Sequence, residues 1–139
     1  MNITYTLVDV EKLAREVWQT FPDSTVWALH GDMGVGKTTF VRALCQSVLQ
    51  SSDNVSSPTF ALINQYESPK VGTISHIDLY RLGGADEAIS AGVQDAMDSA
   101  QLTLVEWPEI APELLPDDTL HLYFSLQPDN ARNIEARLS

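Results

Sequence analysis

The chain has 139 residues, a length usual for one compact domain, which leaves no room for a second catalytic domain or a large lid. A hydrophobic share of 44% is ample for a core and excludes the composition of a disordered chain. Eight Lys plus Arg against nineteen Asp plus Glu leave a formal charge of −11, a field that argues against a broad nucleic-acid groove but leaves room for a pocket holding one nucleotide.

The start, MNITYTLVDVEKLA, lacks the basic segment and apolar run of a secretory signal. Its ITYTLVD portion alternates as an edge strand does. DVEKLAREVWQTF follows with Leu13, Val17 and Phe21 at helical spacing and Asp9 where an N-cap would stand. Pro22-Asp23-Ser24 ends that helix, and the apolar run Thr25 to His30 leads into a glycine loop. Beyond the loop, Phe40, Val41, Leu44 and Val48 mark a second amphipathic helix. It contains the chain's one cysteine, Cys45, which excludes an internal disulfide and reads as a buried, inert thiol of a reducing compartment.

After the polar connector SSDNVSSP, the segments TFALINQYES and TISHIDLYRL read as strands around a PKVG turn. They form either a hairpin or two strand ends flanking a loop. Gly83-Gly84 opens a short helical stretch, and LTLVEW is a buried-type strand. PEIAPELLP is a proline-bounded turn or helix, and TLHLYFSLQ and NIEARLS flank PDNAR as an antiparallel hairpin. No apolar stretch approaches the ~20 residues that span a bilayer. The expectation is a soluble, cytoplasmic α/β domain over residues 1–139, with a mostly parallel central sheet and an antiparallel C-terminal hairpin.

Gly31-Asp32-Met33-Gly34-Val35-Gly36-Lys37-Thr38 satisfies the phosphate-loop pattern, with the strand before it and the helix after it that the pattern requires. Its glycines allow backbone N–H groups to turn toward a phosphate, Lys37 reaches the β- and γ-phosphates, and Thr38 offers Mg²⁺ a hydroxyl. Thr39 continues the cradle into the helix, whose positive end faces the anion. Such a loop needs a carboxylate at a neighbouring strand end for Mg²⁺. Glu106 and Asp78 both qualify, and the more continuous apolar run slightly favours Glu106. Thr59 follows the connector, where a nucleotide switch can sense the γ-phosphate; shaping a turn is the simpler role. Arg81, Arg132 and Trp107 each fit a nucleotide contact or an ordinary structural place. His30, His76 and His121 have no metal spacing and read as packing or surface residues.

The order GDMGVGKTT, SPTF, HIDLYRL, LVEWPE and ARNIE resembles the TsaE family, formerly named after YjeE, across essentially the whole chain. The resemblance implies an ATPase of bacterial tRNA threonylcarbamoyladenosine synthesis, with ATP and Mg²⁺ as cofactors and the TsaD and TsaB proteins as partners. Transfer to adenosine 37 of tRNA would be TsaD's work, so tRNA would be met only through the complex. Lys37, Thr38 and the Asp32–Gly36 backbone would hold the phosphates. Thr38 and Glu106 would be the Mg²⁺ ligands, Asp78 a second essential acid near the γ-phosphate, and Thr59 part of a switch-like segment. Arg132 would approach the nucleotide from the C-terminal hairpin, and the helix start near Asp9 would close over the base. The chain ends at Ser139 without the tail some relatives carry, which puts any tail-dependent partner contact in doubt.

Three rival readings remain. A small-molecule kinase needs an arginine-rich lid that this chain lacks. A GTPase needs an Asn-Lys-x-Asp segment, which is absent. A nucleotide-gated adaptor without turnover remains the substantial alternative.

Overall fold

The computed structural model describes residues 1–58 and 61–139. A seven-stranded sheet runs through it in the order β1-β7-β6-β2-β5-β4-β3. The strands are β1 (Asn2–Tyr5), β2 (Val26–His30), β3 (Ile63–Ser68), β4 (Gly72–Asp78), β5 (Leu102–Glu106), β6 (Leu120–Leu126) and β7 (Arg132–Leu138). The four central strands are parallel: β2 lies between β5 and β6, and β5 also pairs with β4. Antiparallel partners close both margins, β3 against β4 on one side and β7 then β1 against β6 on the other. The alternatives left open for TFALINQYES and TISHIDLYRL therefore resolve, among the described residues, as a hairpin of β3 and β4 whose second strand joins the parallel centre.

The central strands are apolar on both faces because helices or turns cover both. On one face lie α1 (Val10–Thr20) and α2 (Lys37–Arg42), the latter continuing as a π-helix over Ala43–Val48. Leu13, Val17, Phe40, Val41 and Leu44 bury themselves there around Trp27 and Leu104. Trp27 settles its one donor by giving Nε1–H to the Ser24 carbonyl at 2.9 Å. Cys45 is fully buried in this layer, and burial pushes its thiol up to about 12.

The other face is covered by α3 (Ala85–Ser90), α4 (Val93–Ser99) and two 3₁₀ turns at Pro108–Ile110 and Pro112–Leu114. The helical stretch expected after Gly84 is thus two pieces, broken at Gly92, whose φ of 87° cannot continue a helix. Asp9 stands at the N-cap of α1 without capping it: its carboxylate accepts instead from Thr6 Oγ1 at 3.3 Å. No helix among the described residues is long and apolar enough to cross a membrane.

Candidate functional site

The carboxyl ends of β2, β4 and β5 converge where β2 hands the chain to the glycine loop, the place where open parallel sheets bind ligands. A cavity of about 280 Å³ opens there. Met33, Gly34, Gly36, Lys37, Thr38 and Thr39 form its floor. Asp32 is exposed beside it, while the Val35 side chain turns into the core and pins the loop from below.

The loop geometry depends on its glycines. Gly36 has φ 102°, and a Cβ there would lie 3.3 Å from the Cδ and Nε of Arg132 and 3.9 Å from the Tyr5 hydroxyl. Gly31 has φ 145°, and a Cβ there would meet the Phe124 carbonyl and a Val35 methyl at 2.9 Å. Both conformations are strained for any other residue; at Gly31 a Cβ would also collide with backbone, whereas at Gly36 the end of the Arg132 side chain would have to shift by a few tenths of an ångström.

Lys37 is 6% exposed, donates to the Gly31 carbonyl at 2.6 Å and holds its ammonium 4.3 Å from the centre of the Trp107 ring. Burial pulls its pKa below the ordinary lysine value, opposed by Glu106 and then Asp78. Trp107 itself sits at φ 57°, an uncommon conformation for a bulky residue, and packs on Tyr80 with ring centres 4.9 Å apart. That turn aims the indole back at the loop lysine.

Asp78 and Glu106 end adjacent parallel strands and are direct register partners. Both are buried, and both line the cavity with Ser57 and Trp107. Asp78 Oδ1 accepts from the Tyr80 N–H at 2.9 Å. Glu106 Oε2 lies 2.6 Å from His76 Nε2. His76 is fully buried, as its reading as a packing residue allows, and it is also hydrogen-bonded to a cavity carboxylate, which that reading does not include. The alternation of TISHID carried the signal, because His76 and Asp78, two apart on a strand, share a face. His30 and His121 instead pair with each other at 2.8 Å on the other face of the sheet.

On the opposite flank, Arg132 at the start of β7 lines the cavity together with Leu7. Asp9 is not in that lining; it borders a separate concavity with Lys12 and Glu16. Thr59 lies outside the described residues.

The donor set fits a phosphate chain with a hard cation. The loop supplies a lysine and a glycine cradle, Thr38 and Glu106 supply the oxygen ligands Mg²⁺ prefers, and Asp78 adds a second carboxylate. Two polar atoms beside the cradle fit the same group. Arg132 Nε and Tyr5 Oη are buried without a hydrogen-bond partner among the described residues.

A glycine loop between a parallel strand and a helix, with strand-end carboxylates beside it, is the arrangement that the phosphate-loop pattern calls for. The sequence model of the family described as "Threonylcarbamoyl adenosine biosynthesis protein TsaE" matches residues 4–134, and the chain belongs to that family. The tRNA threonylcarbamoyladenosine biosynthesis protein TsaE of Rickettsia bellii is 36% identical over 124 residues, covering 89% of this chain and 85% of the relative. Its counterpart from Aquifex aeolicus is 42% identical over 104 residues, covering 73% and 71%. The crystal structure of Bacillus subtilis YdiB shares the fold, with a TM-score of 0.72, 24% identity and coverage of 96% of this chain and 83% of that one.

Proposed function

We propose that this chain binds Mg·ATP in the Gly31–Thr39 loop and hydrolyses it for the machinery that makes threonylcarbamoyladenosine at position 37 of tRNA. It would do so on the TsaB and TsaD proteins and leave group transfer to them. The observation that carries the reading is one cavity lined jointly by Lys37, Thr38, Asp78 and Glu106. Family membership supports the pathway.

Thr38 and Glu106 would hold Mg²⁺, which when bound neutralises charge on the phosphate oxygens. Lys37 leaves its resting contacts with the Gly31 carbonyl and the Trp107 ring to pair with the β- and γ-phosphates. Asp78, held by the Tyr80 N–H, orients the attacking water and accepts its proton. Arg132 binds on the nucleoside side of the phosphate chain, two strands from β2 on the flank away from the carboxylates.

Among the described residues, Lys37 and Arg132 are the cations lining this cavity, and Arg132 enters it from the flank away from Asp78 and Glu106. Weak turnover by the isolated chain follows, with a partner completing the site in trans. The acidic charge of −11 fits a working contact with protein rather than a direct grip on tRNA. ATP turnover is to be measured with the chain alone and then with TsaB, TsaD and substrate tRNA. Slow turnover that rises in the complex supports the ATPase reading. Binding without turnover in either mixture leaves a nucleotide-gated adaptor.

A further inference from the structure

Glu106 is the end of a longer line of hydrogen bonds. His76 Nε2 stands 2.6 Å from the Glu106 carboxylate, and His76 Nδ1 stands 3.0 Å from the Tyr66 hydroxyl. That hydroxyl also lies 3.1 Å from the Ser56 carbonyl, which Asn64 Nδ2 approaches at 3.4 Å. The line crosses β3, β4 and β5 on the sheet face that carries α1 and α2, and reaches backbone next to Ser57 at the cavity wall.

Its members are 3% exposed at Tyr66, 0% at His76 and 4% at Glu106. Ile74 and Leu104, neighbours on the same face, show what that layer otherwise accepts. Burying three polar side chains in such a layer is costly unless each finds its partner, and here each does. The proton count fixes the direction of the bonds. An ionised carboxylate only accepts, so Nε2 carries the proton given to Glu106. With neutral imidazole, Nδ1 is an acceptor, and the single Tyr66 proton is shared between Nδ1 and the Ser56 carbonyl, 3.0 and 3.1 Å from the hydroxyl oxygen. Which oxygen of Glu106 is free to face the cavity is therefore decided by His76, and the placing of His76 by Tyr66.

We propose that His76, backed by Tyr66, is the positioning residue that presents Glu106 to the Mg²⁺ of the bound nucleotide and ties that orientation to the Ser56–Ser57 backbone. Partners behind a metal-binding carboxylate commonly govern affinity for the ion. The inference rests on the Mg·ATP reading above and assigns no chemistry to His76 itself.

The test separates metal from nucleotide. ATP affinity is measured by calorimetry in chelator, and the Mg²⁺ concentration giving half-maximal tightening is then titrated for wild type, His76→Leu, His76→Gln and Tyr66→Phe. His76→Leu is expected to keep metal-free ATP affinity within about twofold while needing about tenfold more Mg²⁺. His76→Gln, whose amide nitrogen can reach the place of Nε2, should recover most of that loss. Tyr66→Phe should shift the Mg²⁺ requirement in the same direction by about threefold. An unchanged Mg²⁺ requirement in His76→Leu and Tyr66→Phe overturns the inference. So does an equal loss of affinity with and without Mg²⁺ that glutamine does not rescue, since that marks packing alone. Should His76→Leu fail to fold, Tyr66→Phe decides, because its ring stays and only the hydroxyl goes. A wild type that binds no nucleotide sinks the functional reading and this inference together; a Mg²⁺-responsive wild type whose variants need the same Mg²⁺ sinks the inference alone.

Discussion

The two flanks of the phosphate loop are built differently. On the β5–β4 side, the carboxylates are buried beneath Trp107, Glu106 is hydrogen-bonded to His76, and Asp78 is held by the Tyr80 N–H. On the β6–β7–β1 side, Arg132 Nε and Tyr5 Oη are buried without partners among the described residues, and the cavity-lining Leu7 is about half exposed. The first flank is organised before any ligand arrives, as electrostatic preorganisation requires where charge changes during a reaction. The second has polar and apolar capacity left over, which suits a part of the site that a ligand finishes. Reaction is expected to depend on the first flank and affinity on the second.

Lys37 lies between the flanks, so its loss should erase both properties. At a hundred times its Kd, Mg·ATP should stabilise the wild type by about 2.7 kcal/mol, read as a rise in melting temperature. Lys37→Ala should show no such rise at the same concentration, a loss of affinity of roughly a hundredfold or more. A mutant that still shifts would remove the lysine from the site. A wild type that does not shift at millimolar Mg·ATP would remove the site.

The organised flank is broken at Asp78. Asp78→Ala should lower turnover in the partner complex by about a hundredfold or more while ATP still binds, because base and water-positioning groups act mainly on kcat. Equal falls in binding and turnover would mean that Asp78 is a ligand-holding residue, and no fall in either would exclude it.

The unfinished flank is sharpened by two milder changes. Arg132→Gln should weaken ATP about tenfold and leave kcat in the complex nearly intact, since a charge-assisted hydrogen bond is worth about 1.5–3 kcal/mol. Tyr5→Phe should leave the ligand-free melting temperature unchanged or slightly raised, because it deletes a buried hydroxyl that has no partner among the described residues. A marked drop in that temperature would show that the hydroxyl is already satisfied in the fold, and the contrast between the flanks would weaken.

Much of this was legible in residue order. GDMGVGKTT between an apolar run and an amphipathic helix placed the loop, and the apolar LTLVE predicted a strand that proves fully buried, with Glu106 at its end. Strand pairing was not legible. Only the sheet register sets Asp78 beside Glu106, and only the neighbouring β3 brings Tyr66 to His76. A lone histidine in an apolar run carries no local signal of its partner, which comes from a strand 30 residues away in sequence. Leu7 rather than Asp9 lines the cavity, the chain making a 3₁₀ turn over Leu7–Asp9 before α1 begins.

The smallest expected effect is an alkaline one, and it bears on the unfinished flank. Burial raises the Tyr5 hydroxyl from an ordinary value of 10.0 to about 12, with the Arg132 charge opposing the rise. A group that holds its proton more tightly in the folded chain contributes stability that is complete below pH 10, its unfolded value. That contribution is lost as the pH climbs through about 12. Cys45 adds a parallel loss that starts from 9.0 and ends near 12, caused by burial alone. Melting temperature measured from pH 8 to 11 should therefore fall less steeply above 10 in Tyr5→Phe than in wild type, whereas Cys45→Ala should flatten the curve from about 9. Saturating Mg·ATP offers a further distinction. An anionic phosphate drawn against Arg132 removes part of the charge that favours the phenolate and so holds the Tyr5 proton more tightly still, so bound nucleotide should make the wild-type curve above pH 10 slightly steeper. A curve for Tyr5→Phe that follows the wild type throughout would show that Tyr5 reaches water in the folded chain, and the nucleoside flank would then be open solvent rather than a closed wall behind Gly36.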